Sequence, residues 1–148
     1  AVSKVSLKEI IMKKSLGFSM LVLVTNCAFA SSGVDPKIDT LKKMYVSQNL
    51  DKYSTSDFKG IMNTAPIGSE VGCIDWDPTV EAQDTDKFAV LNYKSVNSNT
   101  ATATITNFGK KSTVTYKFVC KGNSCLINDI IDSKNRSIRN VVKKCVSQ

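Results

Sequence analysis

Apolar residues recur at helical spacing in three segments of the chain. Asp35 and Pro36 are typical of the start of a helix predicted over 36–48, because an aspartate caps the first backbone amides and proline fits the first turn. A second, shorter helix is predicted to begin near 54–56, and a third follows Ser133, a candidate N-cap. The inward-facing residues of the three helices are Ile38, Leu41, Met44, Tyr45, Phe58, Ile61, Met62, Ile138, Val141, Val142 and Cys145.

From Lys87 onward the apolar period shortens to two residues, which is typical of β-strands. Threonines alternate with Ala101, Ala103 and Ile105, so one face of that strand is apolar and the other polar. Four strands are predicted, over 88–96, 100–108, 112–120 and 125–131. Together these elements predict an α+β fold, in which N-terminal helices pack on a four-stranded curved antiparallel sheet and a short C-terminal helix follows.

Residues 12–30 have the three parts of a bacterial secretory signal peptide. Two lysines precede an apolar run at 16–24, and Ala28-Phe29-Ala30 is a small-x-small cleavage site. The pattern predicts export to the periplasm with cleavage after Ala30, so that 1–11 are upstream or non-native residues and 31–148 form one domain. The apolar run is shorter than the roughly 20 residues that span a bilayer, so an integral membrane protein is not expected.

A lipid-anchored form is the alternative for the same segment. The residues before Cys27 weakly resemble a lipobox, which would make Cys27 the acylated first residue of the exported protein. Lipobox processing favours a small residue before the cysteine, whereas this chain has Asn26. Soluble export is therefore the preferred interpretation.

Four cysteines follow the predicted signal peptide, and this even number predicts two disulfides in an oxidising compartment. Four cysteines allow three pairings. We favour Cys120–Cys125, because a predicted turn at 121–124 would bring its ends together, and this choice leaves Cys73–Cys145. A zinc site is not expected, since the chain has neither histidine nor a C-x-x-C spacing.

Charge and composition exclude several classes of function. The full chain has a net charge of +7, but residues 1–30 contribute four lysines and one glutamate, which leaves +4 for 31–148. That excess is smaller than the dense basic face of a nucleic-acid-binding protein, so no nucleic-acid partner is expected. The lack of histidine removes the commonest general base and the usual catalytic triads, so we predict a non-enzymatic protein without cofactor or metal.

The most unusual segment is 73–86, which places five carboxylates around the single tryptophan, Trp76. Calcium binding is one chemical interpretation, because hard cations collect carboxylate oxygens, but the segment lacks the glycine of an EF-hand loop and contains Pro78. Alternatively, the aspartates cap short turns and Trp76 anchors the loop. The candidate binding residues are Asp75, Trp76, Asp77, Gln83, Asp84 and, in the fourth strand, Asp129.

The alternative hypothesis is a small enzyme or ligand-pocket protein that uses Asp129. An aspartate in an otherwise apolar strand can be desolvated, which raises its pKa towards the range of a general acid or base. In that case Asp129 would act inside a cone formed by the curved sheet.

Asp75-Trp76-Asp77-Pro78, followed by Ala82-Gln83-Asp84, resembles the central motif of domain of unknown function family 3828, a group of small exported bacterial proteins and lipoproteins. Residues 126–131 and Ser137-Ile138-Arg139 are similar to the closing strand and helix of that family, and the resemblance covers 37–142. It implies a cystatin-like or nuclear-transport-factor-like α+β fold. The motif positions that it implies as site residues are Asp75, Asp77, Gln83, Asp84 and Asp129.

The resemblance implies no particular activity, so the functional prediction is general. We expect a small binding protein of the cell envelope whose partner is an unknown protein or small ligand. In a sharper form of this hypothesis, the chain is an immunity or inhibitor protein.

Overall fold

The computed structural model describes residues 33–67, 72–85 and 87–148. The predicted signal peptide, its cleavage site and Cys27 lie outside these ranges, as does Asp86. The described elements are α1 (Pro36–Ser47), a short 3₁₀ helix (Asp51–Tyr53), α2 (Ser56–Thr64), β1 (Phe88–Asn97), β2 (Thr100–Asn107), β3 (Lys110–Lys121), β4 (Ser124–Ile131) and α3 (Ile138–Val146). The α+β fold predicted from the sequence is confirmed.

The four strands form one antiparallel meander in the order β1-β2-β3-β4. The predicted alternation is observed in β2, where Ala101, Ala103 and Ile105 are fully buried between half-buried threonines. Val114 and Tyr116 of β3 lie on the same inner face. The helices pack on the inner face. The other face carries the threonines of β2 but also exposes Val119 and Leu126.

Each of the three α-helices begins at a side-chain cap. Asp35 accepts a hydrogen bond from Lys37 N at 2.9 Å and so caps α1. Burial raises the pKa of Asp35, but hydrogen bonds from Ser95 and Lys37 outweigh this effect and hold the pKa at about 2. Thr55 caps α2 by accepting from Phe58 N at 3.1 Å.

The predicted N-cap of the last helix was wrong, because Ser137 and not Ser133 caps α3. Asp132 Oδ1 accepts from Lys134 N at 3.0 Å and from Arg136 N at 2.8 Å, which folds 132–136 into a separate turn. The helix can therefore begin only after this turn is complete.

One hydrophobic core lies between the inner face of the sheet and the helices. Leu41 and Met44 of α1, Phe58 of α2, and Ile138 and Val142 of α3 are buried in this core. Because all three helices bury an apolar stripe in the same core, the helices and the sheet depend on one another for stability.

Both disulfides that the sequence favoured are present. Cys73–Cys145 joins the segment before β1 to α3, with 5.7 Å between the Cα atoms. Cys120 and Cys125 lie opposite each other on β3 and β4, with 4.0 Å between the Cα atoms. Two disulfides indicate an oxidising, extracytoplasmic environment. None of the helices in the described ranges has the length and apolarity needed to cross a membrane.

Candidate functional site

The acidic loop, defined here as 72–85, is organised largely by its own side chains. Asp77 Oδ1 accepts from Thr79 N at 2.8 Å and from Thr79 Oγ1 at 2.7 Å, and Asp77 N donates to Ala82 O at 2.9 Å. Gln83 Nε2 donates to exposed Asp75 Oδ2 at 3.3 Å. The structure thus gives Asp77 the turn-capping role that the sequence offered as an alternative to ligand binding.

Asp129 supports a helix. Its carboxylate is buried, and Oδ1 accepts from Ile130 N at 2.8 Å and from Arg139 N at 3.1 Å. Ser137 Oγ donates to Oδ2 at 2.6 Å. These hydrogen bonds connect β4 to the first turn of α3, so Asp129 acts with α3 and not with the acidic loop.

Arg139 strengthens the same connection between β4 and the helices. Its Nη2 donates to Asn128 O at 2.7 Å and to Asn128 Oδ1 at 2.8 Å. Arg139 Nη1 also pairs with Asp57 of α2. The predicted site residues therefore divide into a loop group and a helix-anchoring residue, Asp129.

A chain of buried hydroxyl groups connects α1, β3 and the acidic loop. Tyr45 Oη donates to Thr79 O at 2.7 Å and lies 2.6 Å from Tyr116 Oη. Because a hydroxyl group has one proton, Tyr45 must accept from Tyr116, which gives the direction Tyr116 to Tyr45 to Thr79. Burial raises the pKa of both phenols above the ordinary value of 10.0, so both stay protonated at neutral pH.

A cavity of about 160 Å³ lies next to this hydroxyl chain. Met44, Tyr45, Val80 and Phe88 line it, together with Asp77. Ligand clefts are commonly about 300 to 1,000 Å³, so this cavity is small for a binding site. We regard it as a gap in the packing between α1 and the acidic loop.

A larger depression lies where the acidic loop meets the β2–β3 turn and the 132–136 turn. It consists of two adjacent pockets of about 300 Å³ and 230 Å³. Glu81 and Lys110 line both pockets and therefore mark their common boundary. We call this depression the Trp76–Phe108 groove and define it by Trp76, Glu81, Asn107, Phe108, Lys110 and Arg136.

At one end of the groove a cation lies over the tryptophan ring. The Arg136 guanidinium carbon is 5.1 Å from the Trp76 ring centroid, within the range of a cation–π interaction. Asp132 Oδ2 accepts from Arg136 Nε and Nη2, both at 2.7 Å. The Asp132 side chain is almost completely buried and therefore fixed in position. The two bonds to it orient the Arg136 guanidinium over Trp76.

Two lysines at the groove have no anionic partner in the part of the chain that the structure describes. Lys110 and Lys134 are both exposed, and neither takes part in an ion pair there. Glu81 Oε1 accepts from Ser133 N, which ties the acidic loop to the 132–136 turn. The positive charge of the two lysines is therefore available to an incoming anion.

Asn107 provides a buried acceptor. Its residue exposure is 7%, and Nδ2 donates to Asp84 O at 3.0 Å. Among the described residues, Oδ1 of Asn107 has no hydrogen-bond partner. Buried polar atoms are nearly always paired, so this oxygen requires an explanation.

Phe108 occupies a backbone conformation that is unfavourable for its side chain. Asn107 pairs with Lys110, so Phe108 and Gly109 form a two-residue turn, with φ of 48° and 76°. This turn type favours asparagine before glycine, and a bulky residue at positive φ is an outlier. The Phe108 side chain is nevertheless 59% exposed, so burial does not compensate for the strain.

A second strained residue lines the same groove. Glu81 has φ of 53°, whereas Asn135 in the 132–136 turn has φ of 62°, which asparagine tolerates. Of the four described residues other than glycine with positive φ, Glu81 and Phe108 line the groove, and Gln48 lies at the end of α1. Strain of this kind is concentrated at binding and catalytic sites, which makes the groove the best candidate site in the described part of the chain.

The sequence analysis identifies Trp76 as a candidate binding residue, but it does not identify Asn107, Phe108, Lys110 or Arg136. One feature of the sequence does point to Phe108. Phe108-Gly109 stands where a two-residue hairpin turn usually has Asn-Gly, so an aromatic residue there favours a role other than turn formation.

Residues 33–67, 72–85 and 87–148 contain no group of three or more acidic or cysteine side chains arranged to hold a metal ion. Comparison with protein-family models, curated proteins and solved structures gives no match to this chain.

Proposed function

We propose that this chain is a non-enzymatic binding protein of the bacterial cell envelope and that the Trp76–Phe108 groove is its binding surface. The observation that carries the proposal is the exposed Phe108 side chain, held at φ of 48° in a turn where asparagine would be more stable. An exposed aromatic residue that costs stability favours a role in recognition. The unpaired lysines lie at the same groove.

The size of the groove supports a small ligand more than a protein partner. Its pockets of about 300 Å³ and 230 Å³ fall near the range of small-molecule clefts. A stable protein–protein interface usually buries about 800 Å² on each partner. The immunity or inhibitor role is therefore the second form of the proposal, in which the groove would accept one side chain of a larger partner.

The environment of Asp129 supports the non-enzymatic form of the proposal. The alternative, a small enzyme or ligand-pocket protein, needs an acid that can reach a substrate from within the sheet. Here both carboxylate oxygens of Asp129 already accept hydrogen bonds, from Ile130 N, Arg139 N and Ser137 Oγ. These bonds and the burial of the residue engage the carboxylate with β4 and the first turn of α3, which favours a structural role over a catalytic one.

The envelope location rests on the predicted signal peptide, on the resemblance to domain of unknown function family 3828, and on the two disulfides. We expect an intact mass that begins at Ser31 and is about 4 Da lighter before reduction, because two disulfides remove four hydrogens. An acylated mass beginning at Cys27 would instead support the lipid-anchored form.

The binding surface can be tested by site-specific photo-crosslinking in cells that export the protein. A benzophenone amino acid would replace Phe108 in one variant and Val46 of α1 in the other. Val46 is the more exposed residue, at 87% against 59% for Phe108. Random collisions would therefore favour adducts at 46, whereas a binding groove favours discrete adducts at 108.

Discrete adducts at 108 alone would support the proposal. Adducts at both positions in proportion to exposure, or none at 108, would contradict it. If the adduct at 108 is a single protein, the immunity or inhibitor form gains support over the small-ligand form.

A further inference from the structure

We propose that the tip of the β3–β4 hairpin docks on an anionic phospholipid surface, because one face of this tip presents lysines and exposed aliphatic side chains together. The tip, defined here as 117–126, lies at the opposite end of β3 from the Trp76–Phe108 groove. The inference therefore goes beyond the proposed function, and a separate experiment tests it.

Positive charge is concentrated on the sheet. Residues 87–128 contain six lysines and no acidic residue, whereas 31–148 as a whole have a net charge of +4. The rest of 31–148 therefore has a net charge of −2. In the ranges that the structure describes, none of these six lysines takes part in an ion pair. A sheet that carries charges of one sign attracts an anionic partner.

The first acidic residue after this segment does not neutralise the tip. Asp129 of β4 is paired with Lys117 in the strand register, and Lys117 is exposed. The Asp129 carboxylate is buried, however, and accepts hydrogen bonds from Ser137 Oγ and Arg139 N at the start of α3. Its charge is therefore engaged by the helix, and the Lys117 ammonium stays available to a partner.

The strand register places lysines and aliphatic residues on one face of the tip. Lys117, Val119 and Lys121 occupy every second position of β3 and therefore share a face. Leu126 of β4 is paired with Val119, and the two side chains are 39% and 44% exposed. The apolar pair thus lies between two cations.

The tip extends beyond β2 and is held in place. β2 begins opposite Lys117, so that 119–126 have no partner on β2 and pair only with each other. The Cys120–Cys125 disulfide closes the tip, and Thr40 Oγ1 of α1 donates to Cys125 O at 2.8 Å. A surface that is ordered before docking loses little conformational entropy when it docks.

The composition of the sheet favours a lipid surface over an acidic protein. All six cations of 87–128 are lysines, and none is an arginine. Protein–protein interfaces are enriched in arginine and depleted in lysine, and arginine forms bidentate pairs with carboxylates. Lysines near an anionic bilayer are attracted by its surface potential, and aliphatic side chains can enter the headgroup region beside them. A lipid surface therefore matches both features of the tip.

The test is flotation of the disulfide-bonded protein that begins at Ser31 with two kinds of vesicle. One kind is pure phosphatidylcholine, and the other is phosphatidylcholine mixed with phosphatidylglycerol. We expect binding to the mixed vesicles to be at least about tenfold stronger, because only they attract the lysines. Added salt should weaken this binding, since it screens exposed charges.

Matched double variants separate the tip from general charge. Lys117→Gln with Lys121→Gln should weaken binding to the mixed vesicles about tenfold or more, because each lysine near the surface contributes to the attraction. Lys42→Gln with Lys144→Gln removes the same charge from exposed positions on α1 and α3. This control pair should change the affinity little.

A tryptophan reporter tests whether the apolar pair enters the headgroup region. Leu126→Trp should shift its emission to shorter wavelengths when mixed vesicles are added, because the indole moves from water into the interface. Val46→Trp on α1 is the control, at a position that is 87% exposed in the parent, and should not shift. Trp76 contributes the same background emission to both variants.

Equal binding to both kinds of vesicle, or binding to neither, would overturn the inference. Equal losses in the two lysine pairs, or no emission shift at 126, would also overturn it. Displacement from the mixed vesicles by polyglutamate of matched charge would show that an acidic protein is preferred. If vesicles do not bind but crosslinks form at 108, the docking inference fails while the proposed function stands. If vesicles bind and no crosslink forms at 108, the reverse holds.

Discussion

Loss of the Cys73–Cys145 disulfide is expected to lower the free energy of unfolding by about 4 kcal/mol. The two cysteines are 72 residues apart in sequence, so the bond closes a long loop and strongly restricts the unfolded chain. Cys120 and Cys125 are only 5 residues apart, and the same chain-entropy argument gives about 2 kcal/mol for that bond. Typical domains have a total stability of about 5 to 15 kcal/mol, so the first loss is a large part of the whole.

Urea denaturation of two matched variants would check this expectation. Cys73→Ala with Cys145→Ala and Cys120→Ala with Cys125→Ala each remove two sulfur atoms and therefore one disulfide. The midpoint should fall further for the first pair, since the denaturant midpoint follows stability when the slope is unchanged. A larger loss for the second pair would show that cross-strand packing at buried Cys125 outweighs the entropy of the long loop.

The sheet could be predicted from sequence because its pattern is local. In β2 the side chains alternate strictly between faces, so Ala101, Ala103 and Ile105 identify the inner face without knowledge of the other strands. The start of α3 could not be predicted in this way. Ser133 and Ser137 are both good N-caps in isolation, and the choice depends on how Asp132 folds the turn between them.

The candidate site was predicted only in part, for the same physical reason. The sequence indicates Trp76 because it is the single tryptophan and lies in an acidic segment, which is a local property. Its contact with Arg136 forms only when the 132–136 turn lies against the acidic loop. The pattern of apolar residues along the sequence does not predict such a long-range contact. The charge of Asp129 in an apolar strand makes it a candidate binding residue, whereas in the structure its carboxylate accepts from Arg139 N in the first turn of α3.

The second large effect on stability is expected from the buried hydrogen bonds that join Tyr116, Tyr45 and Thr79. Tyr45→Phe should lower the free energy of unfolding by about 2 to 3 kcal/mol, because it removes both the donor to Thr79 O and the acceptor for Tyr116 Oη. The Tyr116 side chain is fully buried, so its hydroxyl proton would be left without a partner. Tyr116→Phe should cost only about 1 kcal/mol, because Tyr45 still donates to Thr79.

The order of the hydrogen bonds, from Tyr116 to Tyr45 to Thr79, predicts that the effect of Tyr116→Phe on stability changes sign in a double-mutant cycle. In the parent background Tyr116→Phe removes a made hydrogen bond and destabilises the fold. In the Tyr45→Phe background the same substitution removes an unpaired buried hydroxyl and should restore about 1 kcal/mol. Chemical denaturation of the parent, both single variants and the double variant would measure the four stabilities. An equal cost of Tyr116→Phe in both backgrounds would mean that the two hydroxyls are not coupled, and that Tyr116 has another acceptor in solution.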